Sequence, residues 1–375
     1  MAWLTDWTYR KSVTLTRASG ATTNYQMKLL VGESSGATGE DVGCEGKCLS
    51  SFNDLRFTTS DGSTLLDYWI ESITGTTPNQ LATIWIEFDS IGTSDTTFYM
   101  YYGNVAATAY SDGANTFIAF DDFEWGADGT HLHDSGGSIT WTMDRGVSTI
   151  STEQKYTGSR SARFPYSSPS TYATCPLTAS AAQSIQFMVY KENAAAGDVQ
   201  FLHGNGTKRV YLQITVTEDV TYWNGSSYVD TGLNISPDTW NLIEIRNMNF
   251  TAGTFDLLIN EIKVTGLTMD TAAWGDDILA FLGDAYNVGA DHWFDNIIVR
   301  NWLATEPVWG TWGAEEVEPT PGPRYWIGNT GLWTDTDHWS LTSGGVGGAS
   351  VPSVDDDVHF DSNSFTEEGQ HIEFS

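Results

Sequence analysis

The strings Phe120-Asp121-Asp122-Phe123-Glu124 and Trp293-Phe294-Asp295-Asn296-Ile297-Ile298-Val299 decide how this chain is read. In each, large apolar residues alternate with carboxylates, so an extended backbone sends rings into a core and acids to the opposite face or to a rim. Between the two strings lies a strand-rich stretch with no recognisable catalytic constellation. The pattern is that of a chain built to bind rather than to react.

Working outward, Ser184-Ile185-Gln186-Phe187-Met188-Val189-Tyr190, Val210-Tyr211-Leu212-Gln213-Ile214-Thr215-Val216, Trp240-Asn241-Leu242-Ile243-Glu244-Ile245-Arg246 and Thr254-Phe255-Asp256-Leu257-Leu258-Ile259-Asn260 are short alternating segments. Turn signals such as Asn224-Gly225 separate them. This spacing predicts an antiparallel two-sheet sandwich over 114–314, with its first and last strands as neighbours. Upstream, Lys11–Thr16, Leu55–Thr58 and Ile84–Phe88 alternate in the same way, broken at Asp61-Gly62 and between Gly75 and Pro78. A first β-sandwich-like domain is therefore expected over 1–113. Downstream, Glu315–Pro323 carries three prolines and three acids and reads as an extended linker to a last segment, 324–375.

Composition points to an all-β protein of extracellular type: 37 Gly, 16 Trp, 16 Tyr and 17 Phe accompany only 17% charged residues. At 375 residues, 40% of them hydrophobic, there is apolar surface for a core in each of two or three domains. The net charge of −31, from 48 acids and 17 bases, argues against nucleic acid or an anionic membrane as partner, because both would be repelled. No apolar run is long enough to span a bilayer. The start, Met1-Ala2-Trp3-Leu4-Thr5-Asp6-Trp7, lacks the basic and apolar regions of a signal peptide. Either an export signal has been removed or the protein leaves its cell by another route, such as assembly into a virus particle.

Three cysteines are present. Cys44-Glu45-Gly46-Lys47-Cys48 brings two thiols together through a turn, where they either close a small disulfide loop or stay free, and zinc would need further ligands that no second Cys/His pair supplies. Cys175 reads as a small buried hydrophobe. Tyr222-Trp223-Asn224-Gly225-Ser226-Ser227-Tyr228 is a hairpin tip with three rings, and flat rings stack on the apolar faces of sugars. Tyr222, Trp223 and Tyr228 are accordingly the candidate ligand-binding residues, against core packing as the alternative.

In the first part, Trp7-Thr8-Tyr9-Arg10-Lys11, Asp54-Leu55-Arg56-Phe57, Asp61-Gly62, Leu66-Asp67-Tyr68-Trp69-Ile70-Glu71 and Tyr101-Tyr102-Gly103-Asn104 resemble, in order, the domain of unknown function 2341. The resemblance implies a β-sandwich-like module of large surface, secreted or viral proteins, and no catalytic residue. The order of strands in 114–314 is similar to the concanavalin-like lectin and laminin-G jelly roll, in which an opening "FDDFE"-like strand lies near a closing "DNI"-like strand. Relatives of that kind bind sugars or proteins, and some are glycoside hydrolases. The hydrolases need two carboxylates across a cleft. The Glu-x-Asp-x-x-Glu strand that supplies them in laminarinase-like members is missing here.

The same resemblance implies a structural calcium ion where first and last strands meet. The matching acids are Asp121, Asp122, Glu124, Asp291 and Asp295, with capping of a strand or loop as the alternative. Beyond the linker, Tyr325-Trp326-Ile327-Gly328-Asn329-Thr330-Gly331-Leu332-Trp333 through His338-Trp339-Ser340, followed by Val351–Asp361, looks like the opening of a β-solenoid of phage-tail and surface proteins. A solenoid needs several stacked turns, so this segment either pairs with other chains or continues beyond Ser375.

The reading with most support is a non-enzymatic modular surface or virion appendage protein, of tail-fibre, spike or adhesin type, that binds a cell-surface glycan or receptor and assembles with other virion or surface proteins or with itself. One rival is a purely structural assembly protein. Another is a polysaccharide-degrading enzyme whose catalytic part lies outside this chain.

Overall fold

The strand periodicity is realised as packed β-sheets in a computed structural model that describes residues 2–374 apart from 17, 19–22, 37–38, 92–94, 135, 166–170, 177–182, 193–198, 205–207, 272–277, 284–290, 319–321 and 355. The fold is all-β, arranged in two compact units, Met1–Glu316 and Val317–Ser375. Pro319, Thr320 and Pro321 of the expected linker lie outside the described residues.

Within the larger unit the first sandwich comprises two sheets. One runs Tyr9–Thr16, Thr96–Tyr102, Arg56–Thr58 and Leu65–Leu66; the other runs Val42–Gly43, Tyr25–Gly32, Leu81–Phe88 and Tyr68–Thr74. Alternation sends Val13 and Leu15 from the first sheet, and Leu29, Val31, Ile84 and Ile86 from the second, into one core. Chain from beyond the second sandwich also completes this domain. Val308–Trp309 adds to the free edge of Tyr9–Thr16, with Leu15 opposite Trp309. There Trp309 Nε1 donates to Lys28 O at 2.9 Å, and Trp309 packs on Phe88 with ring centres 5.7 Å apart. Residues 308–316, expected in the second sandwich and the linker, are therefore part of the first domain's sheet and its ion pairs: Glu316 pairs with Arg10 at 2.7 Å and Glu315 with Lys47.

The second sandwich packs a seven-stranded on an eight-stranded sheet. The first is ordered Thr142–Arg145, Thr171–Pro176, Ile278–Gly283, Val199–Gly204, Arg209–Ile214, Asp219–Trp223, Tyr228–Asn234. The second is ordered Thr149–Ser151, Ser161–Phe164, His292–Asn301, Gln183–Lys191, Trp240–Asn249, Thr254–Ile259, Ile262–Thr268. The opening strand Ala119–Asp121 pairs antiparallel with the closing strand His292–Asn301, Asp121 opposite Ile297 and Val299 opposite Ala119. Phe123 and Phe294 share one core, with Phe164 and Phe187 edge-on to Phe294 at 5.1 and 5.9 Å.

His292–Asn301 is buried along nearly its whole length, on both faces. One face, carrying Phe294, Ile297 and Val299, fills the sandwich core. The other, carrying Ile298, meets the first sandwich in a separate cluster with Trp69, Trp85, Phe117 and Phe120. Trp69 stands edge-on to Phe120 at 4.8 Å and to Phe117 at 5.8 Å, while Arg300 lies 5.2 Å from the Trp85 ring centre. Asn301 N donates to Gln26 Oε1 at 3.0 Å across the same seam. Burial on both sides accounts for the consecutive apolar residues Trp293-Phe294 and Ile297-Ile298-Val299.

In the unit Val317–Ser375, Pro323–Trp326 pairs antiparallel with Trp339–Ser340 and parallel with Asp357–His359. Gly331–Leu332 pairs parallel with Ile372–Glu373. Trp326 and Trp339, both fully buried, cross edge-on at 5.1 Å, and His338 stacks on Trp326 at 4.8 Å. Parallel pairing between segments some 35 to 40 positions apart is the connectivity by which successive coils of a solenoid stack.

Replacing Trp69 with alanine removes the ring that touches both Phe117 and Phe120. It is expected to lower the unfolding free energy by about 3–5 kcal/mol, read from urea denaturation. An unchanged midpoint would show that the two sandwiches do not depend on this seam.

Candidate functional site

Three features of the second sandwich concentrate chemistry: the acids of the paired strings, a cleft beside them, and a row of rings on the seven-stranded sheet. The acids are not on a rim, as the alternation suggested. Asp121 is 2% exposed and Asp295 fully buried. Asp121 lies on the edge strand Ala119–Asp121 and accepts from Phe123 N at 2.9 Å, Trp125 Nε1 at 3.1 Å and Trp141 Nε1 at 2.9 Å. Asp295 Oδ2 accepts from Tyr156 N at 2.8 Å and Thr157 N at 3.3 Å, and its Oδ1 from Asn296 N at 2.8 Å.

A few residues along the same loop, Glu124 Oε1 accepts from Ser159 N at 2.6 Å and Arg160 N at 2.7 Å, and its Oε2 pairs with Arg160 at 3.1 Å. Glu124 and Asp295 thus grip the two ends of the segment 156–160. Gly158 permits the grip, since its φ is +61° and a Cβ there would collide with the Glu124 carboxylate. Asp122 Oδ1 accepts from Glu124 N at 3.2 Å, and Asp291 Oδ2 accepts from Arg163 Nε at 2.7 Å. The five acids expected at one cation are therefore spread over separate N–H donors. Asp121, Glu124 and Asp295 each meet backbone N–H groups in this arrangement.

Burial sets the electrostatics. It pushes the Asp121 carboxyl up to about 7, although N–H donors from Trp141, Phe123 and Trp125 favour the ionised form. It pushes Asp295 well above the ordinary carboxylate range against the amides of Tyr156, Asn296 and Thr157. Asp122 is raised by burial and by the charges of Glu124 and Asp112.

Asp122 borders a cleft of about 460 Å³ lined by Trp69, Asp112, Phe120, Trp125 and Gly136–Ser138. Trp125 lies against the paired glycines, and a Cβ on Gly137 would come within 2.8 Å of its indole. Asp112 stands at the opening of the short helix Gly113–Thr116, where its side chain accepts from Asn115 N at 3.1 Å.

The ring-bearing hairpin splits between two faces. Tyr222 lies opposite the core residue Leu212, packs against the core and meets Phe255 edge-on at 6.1 Å, so it is a core residue and not part of an exposed cluster. Trp223 and Tyr228 face each other across the hairpin, rings 5.1 Å apart, with Tyr228 41% exposed. The third ring on that face is Tyr211, from Arg209–Ile214; its hydroxyl lies 2.9 Å from that of Tyr228, and the rings are edge-on at 5.7 Å. Arg209, held by Asp270 at 2.6 Å, lies 5.2 Å from the Tyr211 ring centre. Asn224 Oδ1 accepts from Ser226 N and Ser227 N, both at 2.9 Å, which fixes the turn, and Gly225 takes φ +96°. Tyr211 was not among the sequence candidates; the alternation of Arg209-Val210-Tyr211-Leu212 puts it on the outer face, but only the strand register reveals that it joins Tyr228.

Cys44 and Cys48 carry free thiols, and Cys44 and Cys175 are buried. Cys44 is raised well above the usual thiol range by burial and by Cys48 beside it.

Residues 51–144 match the family described as Domain of unknown function (DUF2341). The match starts after the strand Val42–Gly43 and runs through the Phe120–Glu124 string. No curated protein matches the chain. Among solved structures, the chain is similar to a sialidase at 14% identity, covering 56% of this chain and 20% of that one with a TM-score of 0.36. It is similar to a conserved carbohydrate esterase from the Shiga toxin-encoding bacteriophage phi24B at 14% identity, covering 44% of this chain and 90% of that one with a TM-score of 0.35. The binding domain of Botulinum neurotoxin serotype D shares 13% identity over 44% of each chain with a TM-score of 0.31. The chain spans a fifth of the sialidase's length.

A carboxyl whose folded-state pKa is raised stays protonated after the unfolded chain has ionised. Its contribution to stability is present below about 4 and is lost as pH rises through about 7. His292, pushed down to about 4 by burial and by Lys191, has the opposite slope: its contribution is present above about 6.5 and lost as pH falls through 4. Comparing the wild type with Asp121→Asn cancels the histidine. The stability advantage of the wild type is expected to shrink between pH 5 and pH 8, read from urea midpoints; a difference that is constant or grows would show Asp121 ionised in the fold.

Proposed function

We propose that the chain is a non-enzymatic binding module of a secreted, cell-surface or virion appendage protein, and that it holds glycan on the row Trp223, Tyr228 and Tyr211. The observation that carries this reading is the row itself: rings contributed by neighbouring strands, outside the core, held edge-to-face on a rigid sheet. Rings fixed in advance lose little entropy when a sugar face settles on them. The net charge of −31 favours neutral over acidic sugars, which the acidic surface repels.

Affinity from a few stacked sugars is expected in the micromolar to millimolar range. A glycan array followed by titration calorimetry tests it. Trp223→Ala is expected to abolish measurable binding, while Tyr222→Phe, altered on the core side, leaves it intact. Binding of no glycan by the wild type would favour the structural-assembly role, and full binding by Trp223→Ala would remove the row from the site.

Polysaccharide cleavage is a second reading because Asp112 and Asp122 both line the cleft, with Asp122 raised partly by Asp112. Release of reducing ends by the wild type and its loss in Asp122→Asn would establish it; no release is expected.

Asp295 and Glu124 act, in the same proposal, as acceptors that pin the segment 156–160, with no calcium among them. Thermal melts in chelator and in millimolar calcium are expected to superimpose, whereas a midpoint that rises with calcium would restore the ion to the site.

A further inference from the structure

His131, His133 and Asp134 belong to neither the ring row, the cleft lining nor the paired strings. Their ligand atoms all lie within 4.8 Å of one another, the one such grouping of three His, Cys, Asp or Glu side chains among the described residues. His133 Nε2 is 3.6 Å from Asp134 Oδ1, and the two imidazoles lie 5.2 Å apart, centre to centre. We propose that these three side chains form a surface site for a divalent transition-metal ion of the zinc and nickel type.

The local fold explains why they converge. Leu132, between the two histidines, is fully buried in the core of the second sandwich, so the single 3-10 turn Leu132–Asp134 is anchored by its first side chain. Leu132 N donates to Ser148 O at 3.1 Å, Asp134 N donates to His131 O at 3.0 Å, and His131 bridges Thr149. With Leu132 pointing inward, the side chains before and after it are left together at the surface. The backbone is fixed by the sheet, and only side-chain rotation separates the present spacing from that of a bound ion. Zinc–nitrogen bonds of about 2.0–2.1 Å place tetrahedral ligands about 3.4 Å apart, a closure of roughly an ångström.

The donor set selects the metal. Two imidazoles and a carboxylate suit zinc, nickel or copper and are poor for calcium, which takes oxygen. This distinguishes the site from the general attraction that a surface of charge −31 exerts on any cation. Three protein ligands leave one tetrahedral position for water or an incoming group, the arrangement of an open rather than a closed zinc site.

The test is calorimetric titration of the whole chain with zinc chloride, and separately with calcium chloride, in a buffer that does not chelate. The wild type is expected to show a saturable zinc isotherm that calcium does not reproduce. His131→Ala and His133→Ala are each expected to weaken it by more than the roughly ten-fold that loss of an outer-shell partner costs. The chain has seven histidines and the Cys44–Cys48 pair offers thiols, so the double variant His131→Ala/His133→Ala is decisive. Metal-free thermal melts matching the wild type show that the variants remain folded; should His131→Ala shift the melt, His133→Gln, changed at a half-exposed side chain, replaces it. A zinc isotherm unchanged in the double variant, no saturable binding by the wild type, or calcium binding equal to zinc would each overturn the proposal.

Discussion

Asp121 opposite Ile297 and Ala119 opposite Val299 join the beginning of the second sandwich to its end, and this pairing governs the rest of the larger unit. A strand that closes a sheet against its own opening strand sits in the middle of the structure. Here it is covered on one side by the sandwich core and on the other by Trp69, Trp85, Phe117 and Phe120. The closing strand is thus a shared wall, and the two sandwiches bury apolar surface against each other through it. The return of Val308–Trp309 to the edge of Tyr9–Thr16 follows directly: chain leaving the shared wall emerges beside the first sandwich, whose unpaired strand edge it covers.

Burying that wall imposes a cost on the carboxylates it carries. A buried acid must be given hydrogen-bond donors or be neutralised. Both occur: Asp121 and Asp295 collect backbone and indole N–H groups, and burial still raises their proton affinity. On Asp295 two of the donors, Tyr156 N and Thr157 N, come from a segment distant in sequence, so satisfying this acid also positions that loop. Glu124 is met in the same way, by the amide of Arg160 and by its guanidinium.

Architecture was legible because it depends on period. Strict alternation in segments such as Val210–Ile214 marks strands independently of their partners, and the two acidic-aromatic strings announced their pairing through shared chemistry. What alternation cannot convey is the far side of a strand. Ile298 and Phe120 look like ordinary outward positions until a second domain is laid against them, which is why the acids were expected at a rim and the boundary near 314. The ring row was half legible for the same reason. The turn Asn224-Gly225 located Trp223 and Tyr228, but Tyr222 alternates onto the core side, and Tyr211 enters only through cross-strand register. The histidine turn carried no periodic signal at all, since its geometry follows from one buried leucine.

The distribution of polar chemistry separates what holds this protein together from what it can offer to a partner. Asp121, Glu124 and Asp295 are engaged within the fold, each facing N–H donors. The rings of Trp223, Tyr228 and Tyr211 are the reverse: they pack on one another edge-to-face and sit where burial by a ligand would still remove apolar area from water. A surface gains most by covering groups whose hydration is unfavourable and whose conformation is already fixed, and loses most by stripping water from carboxylates. On that criterion the aromatic face of the seven-stranded sheet is where we place the proposed ligand, with the acidic surface around it disfavouring anionic ones.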